Sequence, residues 1–306
     1  MMRFKLETSK QIMERLQWQL SKEGRVTFQA LSPDIGTYYS GSIVEVEGEQ
    51  YCYRSLKSWL DLSNILHCKM HLPRLLSPYW VEFTFEALAL KDSFHCHQDS
   101  CEKYGVESAF AKINKSGEFA FEYYYHEALK AINFDSIKRI INLGINRGDE
   151  FVAIRERLSA KQFNAIECVG VDYSVSAIEY ATRVFANHNN VQCVVQDISK
   201  LGNTLGRFDL LITIATLQSV DSNFKKLFMD LVQQLLTKEA SIIMGFPNSR
   251  WINGELIYGA RVPHSKGSDL STLIKDIYFC KKYLQQHQYR VKIFGKEYIF
   301  LVATKI

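Results

Sequence analysis

Apolar runs of strand length alternate with amphipathic segments in the chain from about residue 139 onward. Helical spacing of apolar residues follows the first, second, fourth and fifth runs. Continuous apolar strands joined by helices are typical of an α/β fold with a doubly wound, mostly parallel sheet. The last two runs are too closely connected for a parallel crossover, so one of them is expected to run antiparallel. The seven runs are "RIINLG" (139–144), "AIECVGVDYS" (165–174), "VQCVVQDIS" (191–199), "RFDLLITIATL" (207–217), "ASIIMGFP" (240–247), "YRVKIFG" (289–295) and "EYIFLVATKI" (297–306).

The first 130 residues follow a different pattern. "ETSKQIMERLQWQLSK" (7–22) and "SLKSWLDLSNILHCKM" (55–70) predict two helices, and "SIVEVEGEQYCYR" predicts a hairpin that turns at Gly48. The segment "VEFTFEALAL" fits either a strand or a helix. We therefore predict an α+β accessory region at 1–130, with a role in covering the substrate, and a second domain at 131–306.

Composition indicates a folded protein without a membrane anchor. The chain has 306 residues, of which 47% are hydrophobic, enough for one large domain and a smaller one. No apolar run approaches the roughly 20 residues of a membrane span, and the polar start "MMRFKLETSK" lacks a signal peptide's apolar core. Seven scattered cysteines favour reduced thiols over a disulfide framework. We expect a cytoplasmic protein of unknown oligomeric state.

Charge is mildly basic and unevenly distributed. The net charge is +4; residues 1–135 carry 15 Lys/Arg and 18 Asp/Glu, whereas residues 136–306 carry 22 and 15. Such a bias either attracts an anionic substrate or is an ordinary solvated surface. It is too weak to indicate a nucleic-acid partner.

A glycine turn follows the first apolar run. Gly144 ends the strand where the backbone bends, and Gly148 lets the next helix pack tightly and bring its N-terminus to a ligand. Asn146 stands between them, and asparagine tolerates a positive φ better than most residues. The dinucleotide spacing G-x-G-x-x-G fails here at positions 146 and 149. The spacing G-x-G-x-G fits with one substitution.

This spacing resembles motif I of the class I S-adenosylmethionine-dependent methyltransferases, and the resemblance covers about residues 131–306. Asp172 in "VGVDYS" matches the family's ribose-binding acid, and Asp197 in "VVQDIS" matches its adenine-side acid. Asp209 supplies the acid that opens the fourth strand. The resemblance implies a seven-stranded Rossmann-like sheet with an antiparallel C-terminal strand. It also implies S-adenosylmethionine as cofactor and S-adenosylhomocysteine as product.

The resemblance assigns a cofactor site and also shows departures. Asn142 stands where the family usually has an acid, and its side-chain carbonyl can still orient the ligand amine. No "N/D-P-P-Y" follows the fourth strand, which disfavours methylation of exocyclic base amines, and no histidine lies near Gln218. The cofactor residues implied are Asn142, Gly144, Asn146, Gly148, Asp172, Tyr173, Asp197, Ile198 and Ile214. As a carboxylate at the edge of an open cleft, Asp172 is expected to contribute little to the stability of the ligand-free protein.

Several other groups are candidates for acceptor binding or chemistry. "EFAFEYYYHEAL" (118–129) either covers the ligand or packs an aromatic helix face on the core. The long segment after the fifth strand favours acceptor contact, because such loops at the carboxyl edge of a sheet are usually functional. The candidate bases are His264, Tyr124 and His126. The candidate acceptor-binding residues are Gln218, Asn248, Arg250, Trp251, Tyr258 and Arg261.

Two clusters of histidine and cysteine contain enough soft ligands for a zinc site. His67, Cys68 and His71 form one, and "HCHQDSC" (95–101) forms the other. Neither has the spacing of recognised zinc ligands, so we predict no metal site.

The sequence favours a methyltransferase that acts on a small or medium-sized metabolite, a small-molecule acceptor being its partner. Two alternatives remain open. One is a module that binds the cofactor without catalysis, motivated by Asn142, Asn146 and Gln218. The other is methylation of RNA or protein, which rests on the basic second part alone.

Overall fold

The computed structural model describes residues 2–88, 105, 108, 113–202, 204–219, 223–252, 255–257 and 270–306, without the side chains of 250–252 and 255–257. Contacts between α-carbons divide the chain into two compact units. The first unit is Met1–Cys96 with Trp251–Leu256, and the second is His97–Arg250 with Ile257–Ile306. No helix in the described ranges is both long and apolar enough to cross a membrane.

The first unit is a five-stranded sheet covered by two helices. Strands β1, β2, β7 and β5 lie in that order, and β6 also pairs with β7. Aromatic side chains fill the core, with Phe28, Trp59, Phe83 and Phe85 at most 1% exposed. The elements are β1 (Met2–Arg3), α1 (Ser9–Glu23), β2 (Arg25–Leu31), β3 (Ile43–Val46), β4 (Glu49–Cys52), α2 (Leu56–Ile65), β5 (Cys68–Met70), β6 (Arg74–Ser77) and β7 (Trp80–Ala87).

Two predictions for this unit are confirmed: the first helix, and the hairpin that turns at Gly48. Thr8 and Gln11 form a capping box that starts α1, and Gly24 ends the helix in the left-handed region. The hairpin of β3 and β4 turns through Glu47 and Gly48, whose φ values are 54° and 79°. Positive φ at both central residues is the geometry that two-residue hairpin loops favour.

One helix prediction was wrong in extent. The pattern predicted a helix over 55–70, but α2 ends at Ile65 and residues Cys68–Met70 form β5 against β7. Burial of Cys68 at the strand position outweighs the helical periodicity. The ambiguous segment is strand β7, in which Val81, Phe83 and Phe85 point alternately into the core.

The second unit is built on a seven-stranded sheet. β13 (Arg250–Ile252) and β14 (Glu255–Ile257) pair in a separate two-stranded sheet, most of which belongs to the first unit. Each strand of the seven falls on one of the predicted apolar runs. The elements are α3 (Phe119–Lys130), β8 (Arg139–Leu143), α4 (Asp149–Arg157), α5 (Ala160–Asn164), β9 (Glu167–Asp172), α6 (Val175–Val184), β10 (Val191–Val195), β11 (Phe208–Ile214), α7 (Phe224–Leu235), β12 (Leu236–Pro247), α8 (Ser271–Gln286), β15 (Tyr289–Gly295) and β16 (Tyr298–Lys305).

The sheet is mostly parallel, as predicted. Its strand order is β10-β9-β8-β11-β12-β16-β15, and β16 alone runs antiparallel to both of its neighbours. Separate apolar clusters cover the two faces: α7 and α8 pack on one, and α3, α4 and α6 on the other. The chain passes from β8 outward to β9 and β10 and then returns to β11 on the other side of β8. The carboxyl ends of β8 and β11 therefore meet where the winding direction changes, the place at which open α/β sheets bind ligands.

Asp209 lies at the opposite, amino edge of the sheet. Its Oδ2 accepts hydrogen bonds from the backbone N–H groups of Lys138 and Arg139 at 2.9 and 3.0 Å. Its Oδ1 accepts one from the Thr237 hydroxyl at 3.0 Å. The acid that opens the fourth strand thus ties β8, β11 and β12 together, at the edge opposite the carboxyl ends of these parallel strands.

Candidate active site

The turn after β8 has the left-handed backbone that its sequence predicts. Gly144, Asn146 and Gly148 have φ values of 77°, 45° and 86°. The N–H groups of Gly144 and Ile145 both donate to the carbonyl of Val171, at 2.7 and 3.1 Å, which bends the chain across the end of β9. Asn146 therefore occupies the conformation for which a glycine is more usual.

The two glycines are also required by their neighbours. A Cβ at Gly144 would collide with the side chain of Thr216, and one at Gly148 would lie 2.6 Å from Cε2 of Phe185. Gly148 is the N-cap of α4, so its missing side chain lets this helix approach the end of α6. The close packing predicted for Gly148 is confirmed.

Asp172 ends β9 and holds the turn in place. Its Oδ2 accepts from the Asn146 N–H at 3.0 Å, and its Oδ1 accepts from the Ser174 N–H at 3.1 Å. The residue is only 6% exposed. The expectation of a carboxylate at the edge of an open cleft was therefore wrong, and we now expect Asp172 to contribute to the stability of the ligand-free protein. A carboxylate has about four acceptor positions, so backbone bonds and ribose hydroxyls can share it.

Asp197 lies beside Asp172 at the same edge, because β10 pairs with β9 and Val195 is aligned with Asp172. Its Oδ1 accepts from the Ser199 hydroxyl at 2.7 Å and from the Ser199 N–H at 2.9 Å. These bonds, the hydroxyl bond first, lower the pKa of the Asp197 carboxyl. Tyr173, which follows Asp172, is 43% exposed at this edge, whereas Ile198 is buried.

Unsatisfied polar atoms lie at the ends of the two central strands. Asn142 of β8 is fully buried; its Oδ1 has no hydrogen-bond partner among the described residues, and the same holds for Oγ1 of Thr213 in β11. Gln218, just beyond Ile214 at the end of β11, has a similarly unsatisfied Oε1. Asn142 and Thr213 face opposite sides of the sheet, because Leu143 rather than Asn142 is aligned with Thr213. Buried acceptors of this kind are suited to a ligand that donates hydrogen bonds.

Asn142 has an amide where the family usually has an acid, but the buried carboxylate of Glu150 lies next to it. Glu150, in the first turn of α4, is 1% exposed, and its Oε2 accepts from Asn142 Nδ2 at 3.2 Å. Its Oε1 is 2.5 Å from Nζ of Lys115. Burial lowers the pKa of Lys115, but the carboxylates of Glu150 and Asp149 outweigh it and raise the pKa overall, so the lysine is charged.

Sequence reasoning missed both Lys115 and Glu150. The available signal was an acid in the first turn of the helix after the glycine turn, where acids are favourable. Nothing in the sequence pairs that acid with a lysine 35 positions earlier. Lys115 lies in a short 3-10 turn just before α3, so the pair joins α3 to the glycine turn and to β8.

Comparison with known proteins decides the family. The family model described as "Methyltransferase domain" matches residues 134–292, which is just over half of the chain. The chain belongs to this family. It is a class I S-adenosylmethionine-dependent methyltransferase, as its motifs predicted, and S-adenosylmethionine is its cofactor.

Solved structures show more distant likenesses. A SAM-dependent methyltransferase from Aquifex aeolicus is 14% identical with a TM-score of 0.46, covering 68% of this chain and 100% of its own. The N-methyltransferase NodS from Bradyrhizobium japonicum, in complex with S-adenosylhomocysteine, is 13% identical with a TM-score of 0.44, covering 61% and 88%. The plantazolicin methyltransferase BpumL is 15% identical with a TM-score of 0.46, covering 67% and 94%. No curated protein matches the sequence.

The two candidate bases on α3 of this methyltransferase point in different directions. Tyr124 packs its ring against Tyr123 and Phe294, with centroids 5.1 and 6.3 Å apart. His126 instead contacts Oε1 of Glu122 through its Nε2 at 2.6 Å. Residues two apart on a helix do not share a face, so the helix cannot direct both at one acceptor.

The aromatic helix also has a packing role. Phe121 and Tyr125 of α3 are buried, and their rings pack against Phe300 of β16. The interpretation of an aromatic face packed on the core is confirmed for these two residues. Whether the other side of α3 covers a ligand stays a prediction.

The structure describes the side chains of only some of the residues predicted to bind the methyl acceptor. Asn248 donates its backbone N–H to the carbonyl of Glu297 and its Nδ2 to that of Lys296, each at 2.9 Å, and so holds the turn between β15 and β16. Arg250 and Trp251 belong to β13, and their side chains are outside the described residues, as are the whole of Tyr258, Arg261 and His264.

In the first histidine and cysteine cluster, His71 and Cys68 lie in different environments. His71 pairs with Glu86 at 2.6 Å, and burial raises the pKa of the Cys68 thiol to about 11. Within the described ranges no group of three His, Cys, Asp or Glu side chains could hold a metal ion. The cluster at 95–101 lies outside those ranges.

Replacing Asp172 should affect both stability and ligand binding. In Asp172→Ala, two backbone N–H groups lose a charged acceptor, each bond being worth about 1.5–3 kcal/mol, so the ligand-free protein should melt several degrees lower. Loss of the ribose contact should weaken S-adenosylhomocysteine binding at least about tenfold. Thermal unfolding and isothermal titration below the melting range measure the two effects.

Asp209→Ala is the matched control, because it also removes a carboxylate that accepts backbone N–H groups, but at the amino edge. It should lower the melting temperature and leave the affinity of the folded protein for S-adenosylhomocysteine unchanged. Unchanged affinity in Asp172→Ala would contradict the assignment of Asp172 to the ribose.

The Lys115–Glu150 pair should be strongly coupled. Lys115→Met and Glu150→Gln each leave one partner without its counterpart, and breaking a buried pair costs about 3–5 kcal/mol. The double variant should recover part of that loss, which a double-mutant cycle from urea unfolding quantifies. Lys130→Met, which breaks the exposed pair of Lys130 with Glu127 on α3, is the control and should cost no more than about 1 kcal/mol. Equal costs for Lys115→Met and Lys130→Met would refute the coupling.

Proposed function

We propose that this methyltransferase transfers the methyl group of S-adenosylmethionine to a small or medium-sized metabolite. The observation that supports this proposal is that the carboxylate of Asp172 holds the left-handed glycine turn beside the point where the carboxyl ends of β8 and β11 meet. We further propose that the sheet is Rossmann-like and binds its ligand at the carboxyl ends of its parallel strands. Residues 131–306 would then bind the cofactor and residues 1–130 would form the accessory region.

The cofactor would lie across the carboxyl ends of β8, β9 and β10. Asp172 would accept the ribose hydroxyls, and Asp197 would accept the adenine amino group. Tyr173, Ile198 and Ile214 would provide the apolar contacts of the adenosine. The glycine turn would pass close to the ligand through Gly144, Asn146 and Gly148.

The amino group of the cofactor would meet Asn142. Its Oδ1 is a buried acceptor without a partner among the described residues, and its Nδ2 is held by Glu150. An ammonium donor would satisfy the unpaired oxygen.

Catalysis would depend mainly on positioning the acceptor against the methyl group of the cofactor. When bound, the cofactor supplies an electrophilic methyl group on a sulfonium. The side chains of the site would align the acceptor with that methyl group and exclude water, which lowers the entropic part of the barrier. A base is needed only for an acceptor that must lose a proton. His126, Tyr124 or His264 would then fill this role, and the geometry of α3 allows only one of the first two.

The acceptor would bind beyond the methyl group, at the ends of β11 and β12. Gln218 offers an unsatisfied carbonyl there, and Asn248 follows β12. Arg250, Trp251, Tyr258 and Arg261 would complete the contacts. A small acceptor is favoured because β11 is followed by "ATLQSV" rather than the motif of enzymes that methylate base amines.

Transfer of a radioactive methyl group tests the acceptor class. The protein is incubated with methyl-labelled S-adenosylmethionine and a cell extract divided into small molecules, RNA and protein. Label should enter the small-molecule fraction with the wild type and fall at least about tenfold with Asp172→Ala. Label that is lost on treatment with ribonuclease or protease would contradict a metabolite acceptor. Cofactor binding without label in any fraction would contradict catalysis.

A further inference from the structure

A groove of about 310 Å³ lies in the first unit between α1 and α2. This volume is at the lower end of the range of small-molecule sites, roughly 300–1,000 Å³. Its apolar wall includes Ile12 and Met13 of α1 and Leu62 of α2. The groove contains none of the residues assigned to the cofactor.

Arg54 provides a positive charge in this groove. Its Nη2 donates to the carbonyl of Glu7 at 2.6 Å, and its Nη1 donates to the carbonyl of Cys52 at 3.4 Å. Both partners are neutral backbone groups, and these bonds use two of the five N–H donors of a guanidinium. No carboxylate of the described residues is within ion-pair distance of Arg54. The arginine is therefore fixed in position with its charge uncompensated.

The acid that lines the groove does not neutralise this arginine. Asp61 is held by Lys57, whose Nζ is 2.7 and 2.8 Å from its two oxygens. Ser40 and Ser58 also line the groove, and their hydroxyl oxygens are 2.7 Å apart. Apart from Asp61, whose charge Lys57 balances, the polar lining includes the Arg54 cation and these hydroxyl groups, which suits an anionic ligand.

Trp59 supplies a second donor. The residue lines the groove and is 1% exposed, yet its Nε1 has no hydrogen-bond partner among the described residues. An indole N–H can only donate, and a buried donor without an acceptor is unfavourable. The guanidinium of Arg54 lies 5.8 Å from the Trp59 ring centroid, so the two residues are close neighbours in the groove lining.

We propose that this groove binds a small monocarboxylate with a compact apolar group. The carboxylate would accept hydrogen bonds from Arg54 and from the Trp59 indole, and the apolar group would contact Ile12, Met13 and Leu62. A single arginine matches the charge of one carboxylate and its planar geometry, whereas a phosphate dianion calls for more cations. The site is additional to methyl transfer and does not depend on the proposed acceptor.

Hexanoate is the probe, with 1-hexanol and hexylamine as controls of the same chain length. Isothermal titration should show hexanoate binding at least about tenfold more tightly than hexanol, because charge-assisted hydrogen bonds exceed neutral ones. Hexylamine should not bind. The indole N–H resonance of Trp59, assigned with Trp59→Phe, should shift with hexanoate alone. Saturation with S-adenosylhomocysteine should leave the hexanoate affinity unchanged.

Two variants in the groove and one control outside it locate the site. Arg54→Gln should weaken hexanoate binding at least about tenfold, and Arg74→Gln, on β6 outside the groove, should not change it. Met13→Trp, which fills the groove without touching the arginine, should abolish binding and keeps the test decisive if Arg54→Gln fails to fold. Equal binding of hexanoate and hexanol, unchanged binding in either groove variant, or no shift of the Trp59 resonance would overturn the proposal.

Discussion

The buried carboxylate of Asp172 is the interaction on which the site depends. It accepts backbone N–H groups from both sides of the strand end, Asn146 in the glycine turn and Ser174 at the start of α6. Asn146 is held in the left-handed region, which is unfavourable for a residue with a side chain, and the charged acceptor stabilises it there. In the proposed cofactor site the same carboxylate would also accept the ribose hydroxyls, so scaffold and cofactor site would share one group.

A second buried carboxylate modifies the site in a way that motif comparison does not show. Asn142 replaces the acid that the family usually has at this position, yet Glu150 lies against its amide and carries the negative charge. Lys115 neutralises Glu150 and ties the start of α3 to the glycine turn. A carboxylate is therefore still present beside position 142, although on α4 and balanced by the Lys115 ammonium rather than unpaired on β8.

The sequence predicted the second unit well, because its signals are local. Seven apolar runs became seven strands, and the glycine spacing fixed the left-handed turn with Asn146 in it. The errors arose where long-range contacts decide. Residues Cys68–Met70 have a helical pattern but pair with β7, and the burial of Asp172 depends on a turn 26 positions earlier. The pairing of Lys115 with Glu150 likewise has no local signature.

A crystal structure with S-adenosylhomocysteine tests the central claim most directly. The account predicts electron density for the ligand across the carboxyl ends of β8 and β9, with both ribose hydroxyls within hydrogen-bond distance of the Asp172 carboxylate and the Asn146 N–H still bound to its Oδ2. A ligand that lies elsewhere, or one that binds only after the Asp172 carboxylate has released the glycine turn, would contradict it.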